Sequence, residues 1–183
     1  MKKGEVKLLT ISAMLFAIGL VLPFLTGQVP QIGSMLLPMH IPVFLCGLIC
    51  GWRYGLMLGL ILPIFRSLLF GMPPMYPTAL GMSFELACYG AVAGALYFSQ
   101  GFFCIKSLLR SMIAAMIAGR AVWGAAMIVL LGVKGNVFTF AAFLSGALLN
   151  AIPGIVLQFV LIPAIMVALH KTALLPQLEP VKE

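Results

Sequence analysis

The sequence predicts an all-α integral membrane protein, a bundle of six transmembrane helices that forms a single domain over residues 1–183. Three observations lead to this prediction. Hydrophobic residues make up 63% of the chain, and only 8% of its residues are charged. Apolar segments alternate with short polar connectors, and a helix needs roughly 20 apolar residues to cross a bilayer. Six such segments fill the length and leave no room for a second, soluble domain.

The first three spans are predicted at residues 8–25, 39–50 and 56–70. The first follows three lysines but is not followed by a small-residue cleavage site, so we expect a retained signal anchor. The second is short, contains Pro42 and ends at the turn GWRYG. The third leads into the proline-rich turn GMPPMYP.

The last three spans are predicted at residues 78–98, 109–131 and 138–169. A polar connector separates the fourth from the fifth. The sixth is long, and we expect Pro153 and Pro163 to kink it, because proline removes a helical hydrogen bond.

The basic residues predict the orientation in the membrane. An even number of spans puts both termini on one side, and that side carries Lys2, Lys3, Lys7, Arg53, Lys106, Arg110, Lys171 and Lys182. The other side carries only Lys134. Since positive loops stay in the cytoplasm, we predict that both termini are cytoplasmic. The basic residues are scattered singly, which argues against a nucleic-acid partner.

Arg66 and Glu85 are ionisable residues inside predicted spans, on either side of the turn GMPPMYP. Charged side chains in hydrocarbon are costly and normally face the protein interior, so they are candidate functional residues. A tight turn would set them at similar depth near the outer surface. We therefore expect a polar cavity that opens to the outside, with Arg66 able to pair with Glu85.

Other polar residues within the spans are further candidates for ligand contact. Arg120 would either contact a ligand or form a structural ion pair with Glu85. Asn150 and Gln158 are eight residues apart, on one helix face, and would contact a ligand or hydrogen-bond between helices. His40 would contact a ligand or lie at an interfacial helix start.

Two aromatic residues are placed to stack on a flat ligand. Tyr89 follows Glu85 by four residues and therefore lies on the same helix face, one turn deeper. Trp123 follows Arg120 by three residues. Aromatic residues also form belts at the membrane surface, which is the alternative for both.

Small residues recur at four-residue intervals, which allows helices to approach closely. The glycine pairs are Gly47 and Gly51, Gly55 and Gly59, and Gly90 and Gly94. Cys46 and Cys50 are one turn apart but have no histidine or acid placed to complete a metal site, so neither a metal nor a cofactor is expected.

Several activities lack their residues in this sequence. The motif GxxxxGK[ST], which binds the phosphates of ATP, is missing. The chain contains no Asp, and Glu85 is the one acid within the spans, which argues against a catalytic triad or a metal-dependent membrane enzyme. The halves lack the matching broken helices of an inverted-repeat carrier. We therefore predict no enzymatic activity.

The whole chain resembles the substrate-binding S components of the energy-coupling factor (ECF) vitamin transporters. The resemblance lies in its length, its six spans, its basic N-terminus and the pair Ala13-x-x-x-Ala17 in the first span. The segments LPMHIPVFLCGLICGWRYG, RSLLFGMPPMYPTA and FELACYG also resemble members of this family. The resemblance implies a multi-pass protein of the cell membrane.

The resemblance also implies partners and a ligand site. Ala13 and Ala17 would dock on a transmembrane coupling subunit, which two ATPase subunits drive. The ligand would be held on the outer side by loop 28–38, the fourth to sixth spans and loop 134–136. The implied residues are Glu85, Tyr89, Arg120, Trp123 and Asn150.

We accordingly predict a high-affinity binding subunit for a vitamin or related micronutrient. Two arginines against one glutamate within the spans leave a positive charge in excess, which favours an anionic ligand such as pantothenate. The alternative is a neutral or cationic ring compound, such as pyridoxine or a thiamine precursor. A stand-alone carrier and an intramembrane enzyme are the remaining alternatives.

Overall fold

A computed structural model describes residues 3–26, 35–99, 104–133, 135, 139–145 and 151–171 of the chain. Regular structure within these ranges is helical throughout. The α-helices are α1 (Lys3–Val21), α2 (His40–Cys50), α3 (Trp52–Phe70), α4 (Leu80–Ser99), α5 (Ile105–Val133), α6 (Phe140–Leu144) and α7 (Ile152–Lys171). A 3₁₀ helix, Leu22–Thr26, extends α1, and an irregular helical turn, Met75–Ala79, precedes α4.

Five of these segments are long and apolar enough to cross a membrane, at Gly4–Phe24, Trp52–Phe70, Met75–Ser99, Ile105–Val133 and Ile152–His170. The prediction of an all-helical membrane bundle is confirmed. Helix α2 coincides with the predicted second span but has eleven residues. At 1.5 Å per residue it is about 16 Å long, shorter than the roughly 30 Å hydrocarbon core. The number of six spans and the orientation stay predictions.

The predicted sixth span differs from the structure. In place of one long helix over residues 138–169, the described residues form the short α6 and, from Ile152, the separate α7. Pro153 therefore does not kink a helix. It lies in the first turn of α7, where the missing N–H removes no helical hydrogen bond. Pro163 lies inside α7, as predicted.

Side-chain contacts give the directions of the first three helices. Phe16 contacts Phe65 at 5.6 Å between ring centroids, and Phe24 contacts Phe70 at 4.9 Å, so α1 and α3 run parallel. On α2, Cys46 Sγ lies 3.6 Å from the hydroxyl of Ser12 on α1. Cys50 Sγ, further along α2, lies 3.7 Å from the carbonyl oxygen of Leu8, nearer the start of α1. Helix α2 thus runs antiparallel to both and returns the chain between them.

Glycines bring α2, α3 and α4 into backbone contact. A Cβ atom added to Gly55 of α3 would lie 2.7 Å from the Cα of Gly47 on α2 and 2.7 Å from the carbonyl oxygen of Gly90 on α4. Only residues without a side chain fit at this three-helix junction. The predicted close approach at Gly47, Gly55 and Gly90 is confirmed. Gly51 has a different role, since its φ of 95° separates α2 from α3.

The same contacts fix the register between α3 and α4. Gly55 packs against Gly90, and Gly59 packs against Leu86. The two helices are therefore antiparallel, and each residue further along α3 faces one residue earlier on α4. By that register Arg66, seven residues after Gly59, is level with Ala79, seven residues before Leu86. Glu85 lies six residues further along α4, about 9 Å deeper at 1.5 Å per residue. The expected similar depth of Arg66 and Glu85 is therefore wrong.

Helix α2 is buried along its whole length, from His40 to Cys50. It lies against α1, α3 and α4, and the segment just before it approaches α7, where a Cβ atom on Gly154 would meet the carbonyl oxygen of Met35 at 2.6 Å. The start of a short central helix thus lies inside the bundle. This arrangement places His40 among the side chains of α4 and α5.

Candidate ligand-binding site

Glu85 of α4 and Arg120 of α5 form a buried ion pair. Arg120 Nη1 lies 2.9 Å from Glu85 Oε1, and both side chains are largely shielded from solvent. Breaking such a pair by removing one partner costs about 3–5 kcal/mol, because the remaining charge is left buried without compensation. Two arginines could have paired with Glu85, and its partner in the structure is Arg120.

Two further side chains converge on the same carboxylate oxygen. The hydroxyl of Tyr89 donates a hydrogen bond to Glu85 Oε1 at 3.0 Å, as expected for residues four apart on one helix face. His40 Nε2 lies 3.8 Å from Oε1. His40, Glu85, Tyr89 and Arg120 therefore form one buried cluster, which is called the Glu85 cluster below.

The start of α2 directs His40 into this cluster. Leu37 has a φ of 50°, a left-handed conformation that is uncommon for a residue other than glycine and costs about 1–3 kcal/mol. The turn at Leu37 is closed by its carbonyl oxygen, which accepts a hydrogen bond from the backbone N–H of His40 at 3.1 Å. Backbone strain of this kind is concentrated at binding sites.

Tyr89 is held by aromatic and backbone contacts that the sequence did not indicate. The ring of Phe44 stacks on it with centroids 5.1 Å apart and an interplanar angle of 20°. The ring of His40 lies 5.2 Å away. On α5, Gly119 has no side chain, and this leaves room for the ring of Tyr89 from α4. Phe44 follows His40 by four residues, and this spacing could have indicated that the two side chains share one face of α2.

Four buried nitrogen atoms, three of them in the cluster and one on α7, have no hydrogen-bond partner among the described residues. They are Nδ1 and Nε2 of His40, Nη2 of Arg120 and Nε2 of Gln158. Buried polar atoms in proteins are nearly always hydrogen-bonded, so each such atom needs a partner. The three side chains come from α2, α5 and α7. Nη2 of Arg120 and Nε2 of Gln158 can only donate, which makes this a site for hydrogen-bond acceptors.

Gln158 lies on α7, four residues after Gly154 and thus about 6 Å further along the helix. Because Gly154 contacts Met35 and Leu36, just before α2, Gln158 lies about one turn from the contact between the start of α7 and the segment before α2. The Gln158 side chain is buried and therefore faces the bundle interior. Asn150, and residues 28–34, 134 and 136 of the two predicted ligand loops, lie outside the described residues.

Trp123 lies one turn from Arg120 on α5, on the side toward the Met75–Ala79 turn. Its Nε1 would be 3.6 Å from a Cβ atom on Gly81, so its indole packs against α4. Phe143 of α6 lies beside it, with centroids 6.0 Å apart and an interplanar angle of 30°. Trp123 is thus half-buried, with one side of its indole against α4 and α6. Phe143 had no signal in the sequence, since its role depends on α6 folding over α5.

Arg66 is not part of the Glu85 cluster. Its guanidinium Nη1 donates a hydrogen bond to the carbonyl oxygen of Leu20, and its Cζ lies 5.0 Å from the ring centroid of Phe24 and 5.4 Å from that of Phe70. Of the two ion pairs that the sequence left open for Glu85, the one with Arg66 is wrong for two reasons. Arg66 is about 9 Å shallower than Glu85, and it lies on the face of α3 that packs on α1.

Ala13 and Ala17 lie on the outside of the bundle. Both are exposed, as are Met14, at 61%, and Ile18, whereas Leu15 and Gly19 face inward. This surface of α1 is therefore open to a partner or to lipid.

Comparisons with known proteins give one result. The sequence model of the ECF transporter substrate-specific component matches residues 7–166. No curated protein matches, and no solved structure matches. Since the match covers most of the chain, and the chain is a bundle of apolar helices with a buried polar cluster, the protein belongs to the family of substrate-specific components of ECF transporters.

Proposed function

We propose that this chain, a substrate-specific membrane subunit of an ECF importer, binds a vitamin or related micronutrient at the Glu85 cluster. The observation that carries the proposal is the set of unpartnered buried nitrogens on His40, Arg120 and Gln158. Leaving such groups unpaired costs about 1–3 kcal/mol each, so a ligand that supplies acceptors gains that free energy on binding.

The ion pair gives the site a fixed geometry before the ligand arrives. Glu85 Oε1 contacts one Nη atom of Arg120, and Tyr89, one turn further along α4, donates a hydrogen bond to the same carboxylate oxygen. The ion pair therefore fixes the direction of the second Nη atom of Arg120. The side chain has little conformational freedom left to lose when a ligand binds. A preorganised donor binds more tightly because less entropy is lost on association.

The proposed ligand is anionic, and pantothenate is the first compound to test. The count of charges that predicted an anion included Arg66, which lies elsewhere, so the prediction now depends on the donors of Arg120 and Gln158. A carboxylate suits the planar fork of an arginine, and amide or hydroxyl oxygens suit the amide of Gln158. Glu85 already accepts from Arg120 and Tyr89, which leaves it less free for a cationic group.

A neutral or cationic ring compound is the alternative ligand. The stacked rings of Tyr89 and Phe44, together with Trp123 beside Phe143, provide aromatic faces near the ion pair. Such a compound, pyridoxine or a thiamine precursor for example, would stack on an aromatic face and direct a ring nitrogen to Glu85 or His40.

Transport requires partners in the cell membrane. We propose that the exposed face of α1 around Ala13 and Ala17 docks on the transmembrane coupling subunit of the importer, whose two ATPase subunits supply the energy. Alanine side chains allow another helix to approach closely, which supports a helix–helix contact here. The Glu85 cluster is inside the bundle, so ligand binding and docking use separate surfaces.

The test of the proposal is a thermal-shift screen of the purified protein against water-soluble vitamins. A ligand at 100 times its Kd stabilises the folded state by about 2.7 kcal/mol. We expect one compound to raise the unfolding temperature of the wild type and of Arg53→Gln, an exposed arginine on α3, but not of His40→Ala. A vitamin that stabilises His40→Ala equally would show that it binds elsewhere.

A further inference from the structure

Arg66 is a buried cation at one end of the bundle, apart from the Glu85 cluster. It lies one turn before α3 ends at Phe70 and is only 2% exposed. Its hydrogen bond to the carbonyl oxygen of Leu20 reaches the last turn of α1. The rings of Phe24 and Phe70 lie near the guanidinium, at 5.0 and 5.4 Å.

The described part of the chain gives Arg66 no carboxylate partner. The whole sequence contains four acidic residues, of which Glu179 and Glu183 lie outside the described ranges. Glu85 pairs with Arg120. Glu5 is in the first turn of α1, fifteen residues and about 22 Å along the helix from Leu20.

The contacts that Arg66 does make compensate its charge only in part. The carbonyl end of a helix carries about half a negative charge, and a cation over an aromatic ring gains about 0.5–2 kcal/mol. An arginine has five N–H donors, and the hydrogen bond to Leu20 uses one of its two terminal nitrogens. Since a charge in hydrocarbon costs several kcal/mol, an anion at the remaining donors would be strongly stabilising.

The surroundings of Arg66 indicate where that anion comes from. Phe24 is 39% exposed and Phe70 is 40% exposed, and Val21, Phe65 and Leu69 are also exposed, so this corner of the bundle faces lipid. Arg66 is about 6 Å from the end of α3, which is within reach of the headgroup layer for an arginine side chain. The partly exposed rings of Phe24 and Phe70 lie beside the guanidinium, so an anion that reaches Arg66 from the lipid would have to displace one of them.

We propose that Arg66 is a lipid-binding residue whose guanidinium, between Phe24 and Phe70, binds the phosphate group of an anionic phospholipid. The arginine fork suits phosphate oxygens, and the exposed rings would pack on the acyl chains. This site is separate from the proposed ligand site, and it accounts for the arginine that the Glu85 cluster leaves out.

The test is native mass spectrometry of the protein purified with phosphatidylglycerol or with phosphatidylcholine. We expect the wild type to retain at least one more phosphatidylglycerol than Arg66→Gln does, and to show no such excess with phosphatidylcholine. Arg53→Gln, on the same helix at its other end, should behave as the wild type does. Equal retention by Arg66→Gln and the wild type would overturn the proposal.

Two further measurements keep the test decisive. If Arg66→Gln does not fold, Arg66→Lys takes its place, and we expect it to keep the preference for phosphatidylglycerol with weaker retention, because lysine keeps the charge but lacks the fork. Excess inorganic phosphate is added to the wild type in the second measurement. Unchanged retention of lipid supports a lipid site, whereas displacement of the lipid would show a site for free phosphate and overturn the assignment.

Discussion

The ring of Tyr89 on α4 lies directly against Gly119 on α5, so that a Cβ atom at Gly119 would be 3.1 Å from the ring carbon Cζ and nearer still to two other ring atoms. Gly119 precedes Arg120, and Tyr89 donates its hydroxyl to the carboxylate that Arg120 pairs with. The close approach of the two helices therefore sets the position of both partners of Glu85.

Replacing Gly119 by alanine should displace the Tyr89 ring and weaken the ligand site. Overpacking of a buried position costs about 1–3 kcal/mol, which we expect as a loss of stability together with at least a tenfold loss of affinity for the ligand. Thermal unfolding with and without ligand measures both effects. Gly132→Ala is the matched control, because a Cβ atom there meets nothing within 4 Å. An affinity unchanged by Gly119→Ala would contradict the role given to this contact.

The ion pair between Glu85 and Arg120 should show strong coupling in a double-mutant cycle. Glu85→Gln and Arg120→Gln each leave one buried charge unpaired, so we expect each to lose about 3–5 kcal/mol of stability. The double variant leaves no charge and should lose less than the sum of the two single losses. The unfolding free energies of the four proteins give the coupling. Additive losses would mean that the two residues do not stabilise each other.

The sequence predicted those parts of the site that depend on spacing within one helix. Glu85 and Tyr89 are four residues apart and share a face, as the structure confirms. Because few charges lie within the spans, Arg66 and Arg120 were the two possible partners for Glu85, and the sequence left the choice between them open. Both inferences use the helical period and the cost of burying a charge, which hold before the fold is known.

The position of Arg66 could not be predicted in the same way. The turn GMPPMYP does not form a symmetric hairpin, because α3 ends at Phe70 whereas regular helix resumes only at Leu80. The resulting register separates Arg66 from Glu85 in depth. Its actual hydrogen-bond acceptor, the carbonyl oxygen of Leu20, is a backbone atom and has no signature in the sequence.

The length of α2 is a second feature that composition alone did not show. Its apolar character predicted a span, and its bounds agree with residues 39–50 to within one residue. Glycines at its contacts with α3 and α4 let neighbouring helices enclose it, so that all eleven residues are buried. Burial by protein rather than by lipid frees a helix from the length that a bilayer requires.

Docking on the coupling subunit should depend on the small side chains of α1. A tryptophan at Ala13 or Ala17 would hold a partner helix away from this exposed face, so we expect Ala13→Trp and Ala17→Trp to lose co-purification with the coupling subunit and to lose uptake. Ligand binding by the isolated subunit should be unchanged, because the Glu85 cluster is inside the bundle. Ala125→Trp, at an exposed alanine of α5, is the control. Normal assembly and uptake by Ala13→Trp would refute the docking surface.

The charge of the ligand should decide which half of the ion pair matters more for binding. If the ligand is an anion, its carboxylate contacts Arg120, so Arg120→Gln should abolish binding, whereas Glu85→Gln should weaken it less. A cationic ligand should show the reverse order, because Glu85 would then be its partner. Isothermal titration of both variants with the compound found in the vitamin screen gives the two affinities. Since either variant also breaks the ion pair, the order of the two losses is informative and their absolute size is not. A ligand that binds Arg120→Gln as tightly as it binds the wild type would refute the anionic assignment and leave the transporter family unaffected.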